Sequence, residues 1–421
     1  MAVLKKIQVL CIDIGTSSLK AAVIDEDGEI LAFSRQILLL KSTEHSALEW
    51  IGCVKKALLE FSHSNLNISA VCVSGNGPTI VAETGETLPW NANISSLQID
   101  YEGDSLFIPQ ILAFKKKYPE AWEKSRFVFS GPEYLIWKLT KNPLSILPEK
   151  RYLPSYWTCD ELEDAGLSKT EILKLPEFVS PSAFAGNLSA ECASYFGAAD
   201  IGITEQTKVF CGAPDFISAL AGTNTLFPGK MCDRAGSSEG INLCTKEPFF
   251  APGVRTLPSV IPGLWNESVL LADSGANFFN FKLQVERKTA HKIDFDTLVH
   301  NCIHCNSQNR IFGPGKLLIQ RTAKNVSQGI ELLKENFLAA NPGCESDFPC
   351  EMSITGGQSR NEEWNQFKAN VCEIDIKTSF CKDAELVGDA VFALTGLKKF
   401  DSIQQAAEKL CRVSKTFTPE F

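Results

Sequence analysis

At 421 residues, with 44% hydrophobic and 22% charged residues, the chain has an ordinary soluble composition and is too long for one core, so two domains are expected. A net charge of −9 gives no basic excess for a nucleic-acid backbone. No apolar run reaches membrane-span length, and residues 1–11, with two lysines and Asp13 close behind, read as a first strand rather than a secretory signal. A cytoplasmic protein is therefore expected. Its 15 cysteines are scattered, many in apolar strand-like runs, which suits reduced thiols acting as small hydrophobes.

Residues 7–13 form an apolar run ending in Asp13, followed by Gly15, Thr16, Ser17, Ser18 and Lys20, and by a second apolar run over 21–25. Strand, small hydroxyl-rich turn, strand is the expected order, with a third strand over 30–40. Such a turn lets backbone N–H groups and hydroxyls converge on an anion such as phosphate. Asp13 at the strand end would face that anion, and a divalent cation, Mg2+ above all, commonly bridges a carboxylate to phosphate. The alternative is a polar hairpin at a sheet edge.

Apolar residues at Leu48, Ile51, Val54, Leu58 and Phe61 have helical spacing. A strand over 68–74 follows and ends in Gly75, Asn76, Gly77 and Pro78. Ligands of α/β units sit at such strand ends, which makes Asn76 and Gly77 candidate pocket residues, a plain turn being the alternative. Trp90, Asn91 and Asn93 form a loop with an apolar ring face and two amides, a composition suited to sugars. Helices are expected over 109–117, 133–139, 166–176 and 189–196. A strand over 208–211 then leads through Gly212, Ala213 and Pro214 to Asp215, at the start of a short helix. An ionised carboxylate there is either a helix cap or the general base that an alcohol requires.

Residues 230–245 repeat the opening pattern: strand, a turn of Gly236, Ser237 and Ser238, strand. Two such turns in one chain suggest two similar domains facing one nucleotide across a cleft. Further on, residues 270–276 make another polar bend, and 323–337 an amphipathic helix whose Gly329 marks close packing. A strand at 352–355 feeds Gly356 and Gly357, whose missing side chains let a flat ring or phosphate approach the backbone. Residues 384–397 are an apolar helix with Gly388 in its packing face. Cys302-Ile303-His304-Cys305 has zinc or redox spacing without a matching second pair nearby, and the five histidines show no cluster in sequence.

Together these residues resemble the FGGY carbohydrate kinases of the actin, hexokinase and heat-shock chaperone ATPase superfamily, over almost the whole chain. The segment Asp13 to Lys20 resembles the family's first phosphate motif, Gly212 to Asp215 its bend with the catalytic aspartate, and Gly236 to Ser238 its second phosphate motif. Ser274 and Gly275 fall in a segment resembling the one that reaches the nucleotide, and Gly356, Gly357, Gln358 and Asn361 in one resembling the adenosine motif. Pro109 with Gln110 and residues 133–140 match as well. The departures lie mostly on the sugar side: Phe216 follows the aspartate, and Ala92 and Ile94 stand where an acid and an arginine are common.

The resemblance implies an α/β fold of two ribonuclease-H-like domains, 1–226 and 227–421, with an interdomain catalytic cleft. It implies ATP-dependent phosphorylation of a hydroxyl on a small uncharged sugar or polyol, with ATP and Mg2+. Asp215 would be the base and Asp13 the metal residue, while Asn76, Gly77, Pro78, Trp90, Asn91, Asn93 and Phe216 would face the sugar. Rival readings are a catalytically weak sugar or nucleotide sensor and a sugar-independent actin-like ATPase. Oligomeric state is left open, a homodimer included.

Overall fold

A computed structural model describes residues 6–420 apart from 42, 63, 237 and 273. The chain divides into two compact units: Met1–Gly222 with Glu385–Leu410, and Thr223–Ala384 with Cys411–Phe421. The division expected at residue 226 lies close to the first crossing. The expected second domain, however, loses Glu385–Leu410 to the first unit.

In the first unit the described strands include β1 (Gln8–Ile14), β2 (Ser18–Asp25), β3 (Ile30–Ile37), β4 (Ile68–Gly75), β5 (Phe184–Asn187) and β6 (Lys208–Pro214). They form one sheet in the order β5-β6-β4-β1-β2-β3, with β1 antiparallel to β2 and parallel to β4. This is the expected ribonuclease-H-like arrangement, and β1 sits at its centre because its residues are apolar on both faces. One face carries Leu10, Ile12, Ile14, Val71 and Val73, and buries them against helices α1 (Trp50–Phe61) and α2 (Gly131–Thr140) through Val54, Leu58, Tyr134 and Leu135. Leu48, counted in the helical spacing, instead lies in a 3-10 turn before α1 and is exposed.

The opposite face carries Cys11, Asp13, Cys72, Ser74, Phe210 and Gly212, since side chains alternate along paired strands. Helices α3 (Asp215–Gly222) and α8 (Ala384–Gly396) lie on this side. A Cβ on Gly388 would stand 2.0 Å from the Ser218 carbonyl oxygen, and one on Gly212 would stand 2.4 Å from that of Val73. Only glycine permits either approach, and this is why α8 joins the first unit. Helix α9 (Ile403–Leu410) follows it there, with Lys409 3.0 Å from Asp27.

The second unit holds β7 (Met231–Ala235), β8 (Glu239–Thr245), β9 (Arg255–Pro258), β10 (Trp265–Leu271), β11 (Glu351–Thr355), β12 (Asp375–Ser379) and β13 (Val413–Phe417). Their order is β9-β10-β8-β7-β11-β12-β13, with β7 antiparallel to β8 and parallel to β11. The β1-β2-β3 and β4 pattern of the first unit is therefore repeated. Even the turns agree: Gly15 N–H donates to the Ser18 carbonyl at 3.1 Å and Gly236 N–H to that of Ser238 at 3.0 Å. Around this sheet lie α4 (Ser274–Thr289), α5 (Phe295–His304), α6 (Gly313–Ala340) and α7 (Glu362–Cys372). The helix expected over 323–337 is thus longer, and Gly329 lies against Ile241 as its small size requires. Residues 166–176, expected to be helical, hold only the short helix Lys169–Ile172. Among the described residues no helix is long and apolar enough to cross a membrane.

Candidate active site

Asp13 ends the central strand of the first sheet and pairs in register with Lys20 across the hairpin. Its carboxylate is 3% exposed, and Lys20 Nζ lies 3.1 Å from Oδ2. Burial pushes the Asp13 carboxyl up to about 7, against the pull of Lys20, and the charges of Glu385 and Asp215 push in the same direction as burial. Among the described residues Asp13 Oδ1 is buried with no hydrogen-bond partner, as are Glu385 Oε2 and Asp389 Oδ1 on α8. The other oxygen of Asp389 accepts from Ser74 Oγ at 3.0 Å, and burial together with the Asp13 charge holds its carboxyl well above the usual range.

Buried carboxylates with unsatisfied oxygens must take up protons or a cation. An all-oxygen set suits Mg2+, so these residues fit the expected metal. Asp215 is the first residue of α3, half-buried, and its charge acts on Asp13. The two predicted acids therefore belong to one electrostatic group. Glu385 and Asp389 were not anticipated; two acids four apart on an otherwise apolar helix were their signal.

The hydroxyl turn joins two of the residues expected to face a sugar. Thr16 Oγ1 accepts from Asn76 Nδ2 at 2.9 Å and from Trp90 Nε1 at 3.2 Å. Gln110 Nε2 donates to the Trp90 carbonyl at 3.3 Å, and its own Oε1 is buried without a partner. Gly77 is exposed and 3.6 Å from the Phe107 ring when a Cβ is placed on it, beside Pro78. Phe107 stacks on Tyr156 at 4.4 Å, and Phe216 meets Tyr152 edge-on at 6.4 Å. Asn91 is exposed, while Asn93 spends its side-chain oxygen on Ser95 N at 3.1 Å. Ser17 is exposed on the turn, but Ser18 is buried and accepts from Arg35 Nε at 3.1 Å.

In the second unit Gln358 Nε2 donates to the Gly236 carbonyl at 3.3 Å and to Ser274 Oγ at 3.4 Å, while Trp364 Nε1 donates to Gln358 Oε1 at 2.9 Å. Three predicted nucleotide segments are thereby tied together, with Gly275 next in α4. Ser238 is exposed, and Ser237 lies outside the described residues. Gly356 has φ +90° and would place a Cβ 2.6 Å from the Ala235 carbonyl, whereas Gly357 faces open space. Asn361 caps α7 through Trp364 N at 2.7 Å and donates to Asp296 Oδ1 at 2.7 Å. It lines a cavity of ≈ 440 Å³ with Asp296, Thr297, His300, Arg360 and Glu363.

Behind the second turn lies a wholly buried triad that sequence reasoning missed. Lys368 Nζ on α7 is 2.6 Å from Asp233 Oδ2 and also bonds Glu239 Oε1, all three side chains having no exposure. Burial and the Glu239 charge hold the Asp233 carboxyl well up, while the Lys368 charge overcomes burial to hold Glu239 down. The two acids are thus pushed in opposite directions around one lysine that bonds both.

Two of the five histidines do cluster, contrary to the sequence reading, because α5 and α7 pack side by side. His300 and His304 lie 4.5 Å apart by ring centroid, and both face Glu363. Cys302 is buried instead, its thiol pushed up to about 12 by burial.

No protein-family model matches the chain. It is 22% identical over 484 aligned positions to a xylulose kinase of Staphylococcus epidermidis, spanning 98% of this chain and 92% of that protein. It is 23% identical over 520 positions to a human FGGY carbohydrate kinase domain-containing protein, spanning 97% and 92%. Among solved structures, Plasmodium falciparum glycerol kinase with ADP superposes with a TM-score of 0.74 at 16% identity, over 99% of this chain and 94% of that one. Along almost its whole length the chain is similar in sequence to FGGY carbohydrate kinases, and its fold is the two-domain actin-like ATPase fold of solved carbohydrate kinases.

Proposed function

We propose that the chain is an ATP-dependent kinase of a small uncharged sugar or polyol. The observation that carries this reading is Asp215, at a helix start, acting by its charge on Asp13, whose Oδ1 is buried without a partner among the described residues. Asp215 would take the proton from the substrate hydroxyl as that oxygen attacks the γ-phosphate of ATP. Gly15, Thr16 and Ser17 would receive phosphate oxygens through amides and hydroxyls, with Lys20 adding positive charge. Gly236 and Ser238 offer the same backbone device. Asp13 would hold Mg2+, whose charge offsets that of the transferred phosphoryl group. Gly357, with open space before its backbone, suits the approach of the adenosine.

Asn76 and Trp90, both bonded to Thr16, support a sugar beside the phosphate turn. Amides both donate and accept, which suits neutral hydroxyls, and Phe216 and Trp90 offer apolar walls for C–H faces. The test is ADP release, in a coupled assay, against a panel of ketoses, aldoses and polyols. Release that depends on one of these sugars is expected. Steady release without any sugar would favour an actin-like ATPase, and nucleotide binding without release would favour a sensor.

A further inference from the structure

We propose that His300, His304 and Glu363 form a binding site for a borderline divalent transition metal such as Zn2+, Co2+ or Ni2+. Helix α5 sets the two histidines four residues apart, so both rings leave the same face one turn from each other. Glu363, in the first turn of α7, sets one oxygen against both. Its Oε1 lies 2.8 Å from His300 Nδ1 and 3.7 Å from His304 Nε2. All three ligand atoms lie within 4.8 Å of one another. A tetrahedral zinc ion with bonds of about 2.0–2.1 Å needs its ligand atoms roughly 3.3–3.4 Å apart. Small rotations of half-exposed side chains are enough to reach that spacing.

The backbone beneath is fixed. Leu298, Val299 and Cys302 of α5 share one hydrophobic cluster with Trp364 of α7. The Asn361–Asp296 hydrogen bond of 2.7 Å also ties the starts of the two helices together. The donor set defines the class of ion. Two imidazoles and a carboxylate match zinc-like metals, whereas Mg2+ and Ca2+ take all-oxygen sets such as that around Asp13. With three protein ligands, one position stays open for water. The neighbouring thiols are not part of the set. Cys302 is buried, and Cys305 Sγ donates to the Cys302 carbonyl at 3.4 Å. His300 and Glu363 also line the cavity that contains Asn361, so an ion here would brace one wall of it.

The test is titration of the full-length reduced chain with Co2+, followed by calorimetry and visible absorption. Co2+ reports thiolate ligands by a sulfur charge-transfer band. We expect one site of micromolar affinity, with the visible bands of nitrogen and oxygen ligation and no thiolate band. His300→Ala/His304→Ala and Glu363→Gln should each weaken it by at least about tenfold, and Cys305→Ser should leave it unchanged. These side chains are exposed, and circular dichroism will verify that each variant is folded. Undiminished binding in the double-histidine variant, absence of binding by the unaltered chain, or a thiolate band lost in Cys305→Ser would overturn the proposal.

Discussion

At the turns after β1 and after β7 a glycine amide donates back to a serine carbonyl, yet the charges around them are disposed in opposite ways. Beside the first, Asp13, Glu385 and Asp389 keep oxygens without partners, and a single lysine, Lys20, faces Asp13. Behind the second, Asp233 Oδ1 and Glu239 Oε2 are likewise without partners among the described residues, but Lys368 bonds both acids and all three side chains are sealed from water. One backbone device thus serves two ends. The acids of the first unit outnumber the lysine beside them and would serve a cation and a reacting group, whereas the lysine set between the acids of the second ties strands and helix together. Substitutions in the first group should change rate and metal dependence, and substitutions in the second should change stability.

The largest effect is expected at Asp215. Asp215→Ala should lower kcat roughly 10²- to 10⁴-fold while ATP affinity, measured by calorimetry, stays nearly unchanged. Near-normal turnover in that variant would make Asp215 a helix cap and remove the contrast. The second unit should answer differently. Lys368→Met leaves Glu239 buried without a cation and should cost about 3–5 kcal/mol of stability, read as a lower midpoint in urea. Replacing all three members of the triad with apolar residues should recover most of that loss. If Lys368→Met unfolds at the normal midpoint, the triad is not a structural brace.

Asp13 sharpens the comparison through pH. Its carboxyl is raised from an ordinary 3.8 to about 7, so between these values the folded chain keeps a proton that the unfolded chain has lost. Stability should therefore fall as pH rises through that window and level off above it. Asp13→Asn should flatten this slope in thermal melts, and Mg2+ should move the upper inflection to lower pH in the unaltered chain alone. An unchanged slope in the variant would place the titration elsewhere. The smallest effect is expected at Asn76→Ala, which loses the bond to Thr16 and should raise KM for the sugar by the equivalent of about 1–3 kcal/mol without altering ATP affinity. An unaltered KM would take Asn76 out of the sugar site.

How much of this could be read from the chain depended on sequence distance. Asp13, Gly15 and Lys20 are neighbours along a hairpin, so their meeting follows from strand, turn, strand alone. The repeat in the second unit was legible for the same reason. Glu385 and Asp389 meet Asp13 because Gly388 lets α8 settle on Ser218; the local pattern marked Gly388 as a packing position but not the distant partner it packs on. Lys368 was hidden in the same way, being a lysine on an amphipathic helix whose partners lie on two distant strands. His300 and His304 lie four apart on one helix and were passed over, and Glu363 joins them only through the packing of α5 on α7.

Helix α8 also bears on the order in which the molecule can be made. The first unit is not continuous in the chain, because residues 385–410 complete it after the whole of 223–384 has been synthesised. Until then the sheet face carrying Cys11, Cys72 and Phe210, all buried in the finished fold, lacks the helix that covers it. A nascent chain released at Gly222 would therefore show water a sticky thiol-bearing surface. The earlier unit is complete only once residues 385–410 have been made.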